Sequence, residues 1–408
     1  MADNKDKKVL NVPALRFPEF SGEWEKLRLS DFATKITKKN KGNIVKNVLC
    51  NSANLGLVPQ GNYFDREIAN TENTDGYYVI CNGDFVYNPR KSTAAPFGPV
   101  NIYEGEDAGI ISPLYLCFSV HNIFPKFLYY RFKSSAWHSY VYSHGDSGVR
   151  FDRVSIKDDV FFDMPIYKPA QDEQIKIATL LQLIDDRIST QNKIIEKYES
   201  LIQAICDTLI EQETQQVTLS FRDFGQSYSG LSGKSADDFG EGYPFITYMN
   251  VYQNQIIDLT DVGLVKINET EQQSVVRYGD ILLTLSSETP EEVGMGAVYL
   301  GETYPLYLNS FCFGIHITDE SKIYPPFLAY YVSSQSFRKA VYPLAQGSTR
   351  FNLQKSDFMK KKFSFPVIEK QHKIYSILKI YSDKLIVEKL IMRLLCNQKC
   401  YLLRQLFI

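Results

Sequence analysis

Two long stretches of the chain repeat apolar residues at alternating steps of four and three, which is the spacing of a helix with one buried seam. They cover roughly residues 172–211 and 369–407, and each seam runs for about five heptads. The first seam consists of Ile177, Leu181, Ile184, Ile188, Gln191, Ile195, Tyr198, Ile202, Ile205 and Leu209. The second consists of Ile374, Leu378, Tyr381, Leu385, Glu388, Met392, Leu395, Lys399, Leu402 and Leu406. The pattern predicts two long helices that pair as an antiparallel coiled coil.

One polar residue interrupts each seam at the same position, Gln191 in the first helix and Glu388 in the second. In an antiparallel pair these two positions meet, and a buried polar pair there fixes the register at some cost in stability. The alternative is a seam that is partly wet at its centre. The residues expected to form this central part of the pairing are Ile184, Ile188, Gln191, Ile195, Tyr381, Leu385, Glu388 and Met392.

Short alternating segments bounded by Gly, Asn, Pro and Asp precede each long helix and predict β-strands. Examples are YYVICNGDFVY and FFDMPIY in the first half of the chain, and GAVYL and KFSFPVI in the second. A short helical stretch is expected around residues 125–141 and again around 325–341. Each half therefore predicts a β-rich domain followed by one long helix.

The two halves are copies of one unit, with a repeat period of about 200 residues that is too long for a solenoid. The segment IFPKFLYYRFKSSAWHSYVY from Ile123 corresponds to IYPPFLAYYVSSQSFRKAVY from Ile323. Likewise GVRFD, which contains Arg150, corresponds to STRFN, which contains Arg350, and Gly83-Asp84 corresponds to Gly279-Asp280. Leu29-Ser30-Asp31-Phe32 corresponds more loosely to Ser220-Phe221-Arg222-Asp223-Phe224.

Two such copies joined by antiparallel helices predict an object with pseudo-two-fold symmetry. A 40-residue helix is about 60 Å long, which is enough to hold two domains one turn of DNA apart, about 34 Å. The fold class expected is α+β, with two repeated β-rich domains. This geometry suggests a DNA target in two parts.

Composition adds two constraints. Across 408 residues the net charge is −2, so DNA binding needs local positive charge or a partner that supplies it. The start of the chain lacks the apolar region of a signal peptide and no run of 18 apolar residues occurs, so no membrane span is expected. The seven cysteines are scattered and predict reduced thiols in a cytoplasmic protein.

Motifs for catalysis are incomplete. The segment GLSGKS (residues 230–235) lacks the first glycine of a P-loop, because that position is Tyr228. Asn88-Pro89-Arg90 lacks the second proline and the aromatic residue of an amino-methyltransferase loop, and Asp319-Glu320-Ser321-Lys322 lacks the upstream acid of a nuclease site. No HExxH or CxxC spacing predicts zinc.

At this point the chain resembles the specificity subunits of type I restriction-modification enzymes. The segments that carry the resemblance are PALRFPEFSGEWEKLRLSDF, PAQDEQIKIATLLQLIDDRI, TLSSETPEEVGMGAVYL and LAQGSTRFNL. The resemblance covers essentially the whole chain, and the combination is specific although each segment alone is weak. The clearest departure is YNPRKSTAAPFGPV, which is only loosely like its second-copy counterpart LTLSSETPEEVGMG.

The resemblance implies a non-catalytic protein with two target-recognition domains, each reading one half of a split sequence in double-stranded DNA. It also implies docking of two methyltransferase subunits and of restriction (motor-nuclease) subunits. S-adenosylmethionine, ATP and Mg²⁺ would belong to those partners, so no cofactor is expected here. The domains expected are an N-terminal segment (1–21), recognition domain 1 (22–170), spacer helix 1 (171–213), recognition domain 2 (214–367) and spacer helix 2 (368–408).

Two kinds of loop are the candidates for DNA contact. The first follows the strand after Gly-Asp and offers polar side chains suited to base edges, because Arg pairs with guanine, Asn with adenine and Glu with cytosine. The second contains the repeated arginine, a cation suited to phosphate. The alternative for each is an ordinary surface loop, or a structural salt bridge for the arginines. The residues are Asn88, Arg90, Lys91, Ser92, Ser147 and Arg150 in the first copy, and Ser286, Ser287, Glu288, Thr289, Ser348, Thr349 and Arg350 in the second.

Two other functions remain open from the sequence. A self-contained methyltransferase or nuclease would act on DNA without a partner, and inactivity of the purified chain with S-adenosylmethionine would exclude the methyltransferase. A coiled-coil scaffold that binds only protein would show no sequence-selective DNA binding even with its partners, and the near-neutral charge suits it.

Overall fold

The computed structural model of the chain describes residues 10–62, 74–145, 152–302 and 304–408. The chain forms two compact units, one made of residues 1–191 with 391–408 and the other of residues 192–390. Each long helix therefore contributes one part to each unit. We describe the two units one at a time.

The described residues of the first unit form short β-strands. They are β1 (Glu25–Arg28), β2 (Ala33–Lys35), β3 (Leu49–Ser52), β4 (Gly56–Pro59), β5 (Tyr78–Ile80), β6 (Phe85–Tyr87), β7 (Val100–Ile102), β8 (Gly109–Ile111), β9 (Leu116–Val120) and β10 (Pro165–Lys168). The central sheet has the order β2-β9-β6-β7, and the pairs β1-β10, β3-β4 and β5-β8 surround it. The helices are α1 (Pro125–Lys133), α2 (His138–His144), α3 (Asp158–Phe162) and the long α4 (Gln171–Glu211), which continues into the second unit.

The second unit repeats this plan in the part of the chain that the structure describes. They are β11 (Gln216–Ser220), β12 (Gly225–Ser229), β13 (Phe239–Ile246), β14 (Val262–Val265), β15 (Ile281–Thr284), β16 (Ser286–Ser287), β17 (Gly296–Val298), β18 (Tyr307–Leu308), β19 (Cys312–Ile317), β20 (Ala345–Gln346), β21 (Phe351–Leu353) and β22 (Lys362–Pro366). The sheets have the orders β12-β19-β15-β17, β14-β13-β18, β16-β21-β20 and β11-β22. The helices are α5 (Tyr248–Gln253), α6 (Pro325–Tyr331), α7 (Gln335–Val341), α8 (Lys355–Lys360) and the long α9 (Ile368–Gln405), whose last part belongs to the first unit.

The central four-stranded sheets match strand for strand. The strand after Gly-Asp lies in the interior of each sheet, where Phe85 is opposite Phe118 in one copy and Ile281 is opposite Ile315 in the other. All four side chains are fully buried, because an interior strand is covered on both faces. The predicted α+β chain of two β-rich copies, each followed by a long helix, is confirmed.

The loosely aligned start of each copy folds into the same corner. Asp31 accepts a hydrogen bond from the backbone N–H of Arg28 at 2.7 Å, and Asp223 accepts one from Ser220 at 2.7 Å. Each carboxylate thus caps a 3₁₀ turn between two strands. The correspondence between Asp31 and Asp223 is real in spite of the divergent sequence around it.

Each of the two predicted short helical stretches forms two separate helices, α1 and α2 in the first copy and α6 and α7 in the second. In the first copy the hydroxyl of Ser134 donates to the carbonyl of Arg131 at 2.6 Å and ends α1. In the second copy Ser334 donates to the carbonyl of Tyr331 and also caps α7, accepting from the N–H of Phe337. A serine that bonds its own backbone competes with the helix, so an apolar pattern that reads as one helix is broken at this point.

The segment FFDMPIY differs from the predicted strand. Its first two residues, Phe161 and Phe162, end the helix α3, and β10 begins at Pro165. Phe161 is fully buried in the core of the first unit and stacks on Tyr87 at 4.7 Å. Tertiary packing therefore outweighs the local strand preference of two adjacent aromatic residues. The corresponding segment KFSFPVI forms β22 as predicted.

The apolar seams of α4 and α9 pack into the two cores. Ile177, Leu181 and Ile184 lie in the core of the first unit together with Leu402 and Leu406. In the second unit the core includes Ile202 from α4 and two seam residues of α9, Ile374 and Leu378.

Two ion pairs show the relative direction of α9 and of the chain segment beside it in the second unit. Lys389 of α9 lies 2.7 Å from Glu199 of α4, and Lys370 lies 3.0 Å from Glu213. From the Lys370 pair to the Lys389 pair, the residue number rises in α9 from 370 to 389 while the number of the paired glutamate falls from 213 to 199. The two segments are therefore antiparallel here. The pseudo-two-fold relation between the copies stays a prediction.

Gln174 and Gln371 attach the long helices to their domains by identical contacts. Each glutamine is completely buried. The side-chain oxygen accepts from the backbone N–H of Phe124 in the first unit and of Tyr324 in the second, both at 2.8 Å. The side-chain amide donates to the carbonyl of the residue five positions earlier, again at 2.8 Å in both units. Each helix is therefore fixed at its start to the loop that precedes α1 or α6.

Within the described ranges, no helix is both long enough and apolar enough to span a membrane.

Candidate DNA interface

In the first unit the loop after β6 lies beside the segment that begins at Asp152. The loop that follows β6 pairs with residues 152–154, which come directly after the predicted arginine loop. Lys91 donates its backbone N–H to the carbonyl of Asp152 at 2.8 Å, and Val154 donates to Pro89 at 2.9 Å. The two candidates Ser147 and Arg150 lie outside the described residues.

The side chains of this loop present positive charge. Arg90, Lys91 and Ser92 are exposed, whereas Asn88 is half-buried and its side-chain oxygen accepts from the N–H of Arg90 at 3.0 Å. Arg90 lies 3.9 Å from Asp152, and both side chains are more than half exposed, so this ion pair is weak. The guanidinium of Arg90 therefore remains accessible to an anion or a base edge.

Arg153 is a further cation that the sequence did not single out. It lies directly across from Arg90 in the pairing of the two loops and is half-buried. The repeat could not reveal it, because the corresponding residue of the second copy is the core residue Leu353. Beside these loops is a cavity of about 300 Å³ whose lining includes Asn51, Gln60 and Arg90. One arginine and several neutral amides thus line this cavity.

The second unit brings its two predicted loops together in the same way. The short strand β16 pairs with β21, so that Ser286 is opposite Asn352 and Ser287 is opposite Phe351. A hairpin turn at residues 347–350, which contains Arg350, connects β20 to β21. Gly347 in this turn has φ +135°, and a Cβ there would lie 2.1 Å from the carbonyl oxygen of Arg350, so only glycine fits.

The candidates of the second unit divide into a buried and an exposed group. Ser286 and Ser287 are buried, and the hydroxyl of Ser287 donates to the carboxylate of Glu292 at 3.0 Å. The exposed group consists of Glu288, Thr289, Ser348, Thr349 and Arg350. The surface of this loop pair is therefore mixed, with one arginine beside acidic and hydroxyl side chains.

The central helix-pairing candidates are all at least partly buried. Gln191 and Glu388 are each 7% exposed, as is Ile184. Glu388 also forms an ion pair with Lys384, with 2.8 Å between Nζ and Oε1. The remaining candidates, Ile188, Ile195, Tyr381, Leu385 and Met392, are partly buried. Their role in helix pairing stays a prediction.

Two lysines of the incomplete catalytic motifs form ion pairs within the fold. Lys234, the lysine of GLSGKS, is 4% exposed and pairs with Glu271 at 2.5 Å, so its ammonium group has a carboxylate partner inside the fold. Lys322 pairs with Asp319 at 2.7 Å within their turn. Among the described residues, no three His, Cys, Asp or Glu side chains cluster in a way that could hold a metal ion.

Comparison with known proteins shows what the second copy and the whole fold are similar to. Residues 221–394 match the family model of the type I restriction modification DNA specificity domain. The whole fold is similar to a chain solved in work on complex assembly and conformational transition of a type I R-M system, with 14% identity, a TM-score of 0.58 and coverage of 93% of this chain and 96% of that one. It is also similar to the type I restriction-modification S subunit from M. genitalium, with 16% identity, a TM-score of 0.52 and coverage of 97% and 99%. No curated protein matches the chain in sequence.

The whole chain therefore has the fold of these solved structures, and most of its second copy matches the DNA specificity domain.

Proposed function

We propose that this chain is the DNA specificity subunit of a type I restriction-modification system, that it reads a bipartite DNA site with one half-site for each recognition domain, and that it positions methyltransferase subunits on that DNA. The observation that carries the proposal is a pairing that recurs in both units. In each unit the loop after the Gly-Asp strand lies beside the segment that follows the arginine loop. One fold therefore presents two loop pairs with different side chains, as a split and asymmetric target requires.

The loop side chains suggest how each half-site is read. In the first unit Arg90 and Lys91 are exposed donors, and Arg pairs well with the O6 and N7 acceptors of guanine. In the second unit Glu288 is an acceptor suited to the amino group of cytosine, and Arg350 is suited to phosphate. Asn88, Ser92, Thr349 and the residues around them complete the proposed contact surface.

The partners follow from the class and from the charge. A net charge of −2 is a poor basis for binding a polyanion, so a large share of the phosphate contacts must come from other subunits. We assign these to two methyltransferase subunits, with restriction subunits added for cleavage, in the cytoplasm. The chain itself needs no cofactor, and S-adenosylmethionine, ATP and Mg²⁺ act in the partners.

The test is to express the chain with its methyltransferase partner and to map methylated adenines across the host genome by single-molecule sequencing. We expect a split motif that disappears when this gene is deleted. A stable complex without any change in methylation would refute the proposal and favour the protein scaffold. As a control, the purified chain alone with S-adenosylmethionine should leave DNA unmethylated.

A further inference from the structure

The loop of residues 288–294 in the second unit is held by side-chain hydrogen bonds from α5, α7 and β16. We call it the clamped loop. It begins with the exposed residues Glu288 and Thr289 and continues through a 3₁₀ turn at Pro290–Glu292 to Gly294. It connects β16 to β17, and so it starts directly beside the hairpin that carries Arg350.

Arg338 of α7 holds the clamped loop by its backbone. One guanidinium nitrogen donates to the carbonyl of Gly294 at 2.6 Å, and the other donates to the carbonyls of Glu291 and Val293 at 2.6 and 2.7 Å. No carboxylate pairs with Arg338 among the contacts of the described residues. Three carbonyls converge on one planar group, whose two terminal nitrogens donate to different carbonyls from fixed positions.

Glu292 holds the same loop from the other side. One carboxylate oxygen accepts from the hydroxyl of Tyr252 at 2.7 Å, and the other accepts from Ser287 at 3.0 Å. Hydrogen bonds from Tyr252, Thr289 and Ser287 hold the pKa of this carboxyl below its ordinary value, so it is ionised at neutral pH. Both oxygens are engaged, and Glu292 is therefore a bridge between α5, β16 and the loop.

The helix α5 adds a contact at the strand before the loop. Tyr248 lies one turn before Tyr252, the two rings stack at 6.0 Å, and the hydroxyl of Tyr248 donates to the carbonyl of Ser286 at 2.8 Å. The backbone on both sides of Glu288 and Thr289 is thus fixed, and both residues are exposed, although the hydroxyl of Thr289 also hydrogen-bonds the carboxylate of Glu292. Base discrimination depends on holding donors and acceptors within about 0.5 Å of their target, and a loop fixed in advance meets that condition without an ordering cost on binding.

We propose that Arg338 and Glu292 are positioning residues for sequence reading, which set the clamped loop of the second unit so that Glu288 and Thr289 discriminate bases in one half-site. This inference rests on the proposed function. The first unit uses a different device, because the repeat counterpart of Arg338 is His138, which packs on Phe97 at 4.8 Å. The effect of Arg338 is therefore confined to one half-site.

The experiment is methylome mapping of the complex with Arg338→Gln, Arg338→Lys and Glu292→Gln, beside the unchanged chain. We expect Arg338→Gln to relax one half-site, with about tenfold weaker discrimination at the affected bases, and to leave the other half-site and the spacing intact. Arg338→Lys should also relax this half-site, because one ammonium nitrogen cannot occupy the positions of both guanidinium nitrogens. Glu288→Ala with Thr289→Ala should alter the same half-site.

The matched control is Lys339→Gln, which removes a neighbouring exposed cation of α7 that makes no contact with the clamped loop. It should leave the motif unchanged. An unchanged motif in the Arg338 and Glu292 variants, or equal loss at both half-sites, overturns the inference while the split motif of the unchanged chain still supports the proposed function. Where Arg338→Gln does not yield a soluble complex, Tyr252→Phe removes a single hydrogen bond of the same network and decides by the same criterion.

Discussion

At the scale of single residues, the candidate interface combines side chains of two kinds. Some are exposed and chemically suited to DNA, such as Arg90, Glu288 and Arg350. Others hold the backbone beside them, such as the buried Ser287 and the partly buried Glu292. Residue type and the repeat did not distinguish these two groups. Whether a polar side chain in a loop faces solvent or holds the backbone depends on its packing, which the sequence alone does not show.

Arg350 gives the first prediction at this scale. Its side chain is exposed at the tip of the β20–β21 turn, and a cation there is expected to bind phosphate. Arg350→Gln should weaken binding of the assembled complex to all sequences alike and lower the slope of log affinity against log salt by about one. Fluorescence anisotropy at several salt concentrations measures both quantities. Arg350→Lys keeps the charge and should keep the slope, whereas a changed recognition motif would show that Arg350 reads a base.

Gln371 gives the second. Gln371→Ala removes the bonds to the N–H of Tyr324 and the carbonyl of Pro366 and leaves both groups buried without a side-chain partner. We expect a loss of about 2–3 kcal/mol in the free energy of unfolding, measured by chemical denaturation. Gln398→Ala, at an exposed position of the same helix, is the control and should change stability little. Equal effects of the two substitutions would contradict the assigned role.

At the scale of elements, the repeat is more regular in structure than in sequence. Both copies contain the same central sheet, the same capped corner before it and the same attachment of the long helix. The heptad pattern predicted the long helices because a seam with one buried face shows in the order of residues. The short strands were predicted less completely, since segments of three residues take their conformation from pairing with distant strands.

The capped corner of the second unit predicts a dependence on pH. The backbone N–H of Ser220 first, then its hydroxyl and Lys362, lower the pKa of Asp223 from 3.8 to about 2. Because the pKa is lower in the folded chain, the carboxylate stabilises the fold above pH 4, and this contribution is lost as the pH falls from about 4 to about 2.

Asp223→Asn should therefore lower the thermal midpoint at pH 7 and reduce its decline between pH 4 and pH 2. Differential scanning calorimetry across this range measures the effect. Asp237→Asn, which changes an exposed carboxylate outside the Asp223 corner, should leave the pH dependence as it is. An unchanged midpoint at pH 7 for Asp223→Asn would show that the capping bonds do not stabilise the corner.

At the scale of the whole molecule, each compact unit has its own core and its own loop pair. This organisation predicts that the two half-sites are read independently. Arg90→Gln should relax one half-site and Glu288→Gln the other, each by about 1–3 kcal/mol of base discrimination, and the double variant should show both effects added. Methylome mapping of the three variants tests this, and strong non-additivity would show that the two units do not read independently.

The sequence by itself determined the duplication, the two long helices, the α+β class and a resemblance to one family, because these depend on periodicity and on the order of residues. Only the tertiary structure decided that Arg153 lies across from Arg90, that Ser286 and Ser287 are buried, and that Arg338 holds the carbonyls of a loop more than 40 positions earlier. Those contacts join residues far apart in the chain. They arise when β16 pairs with β21 and when α7 packs beside the loop, and no local pattern of residues encodes which distant carbonyls an arginine will reach.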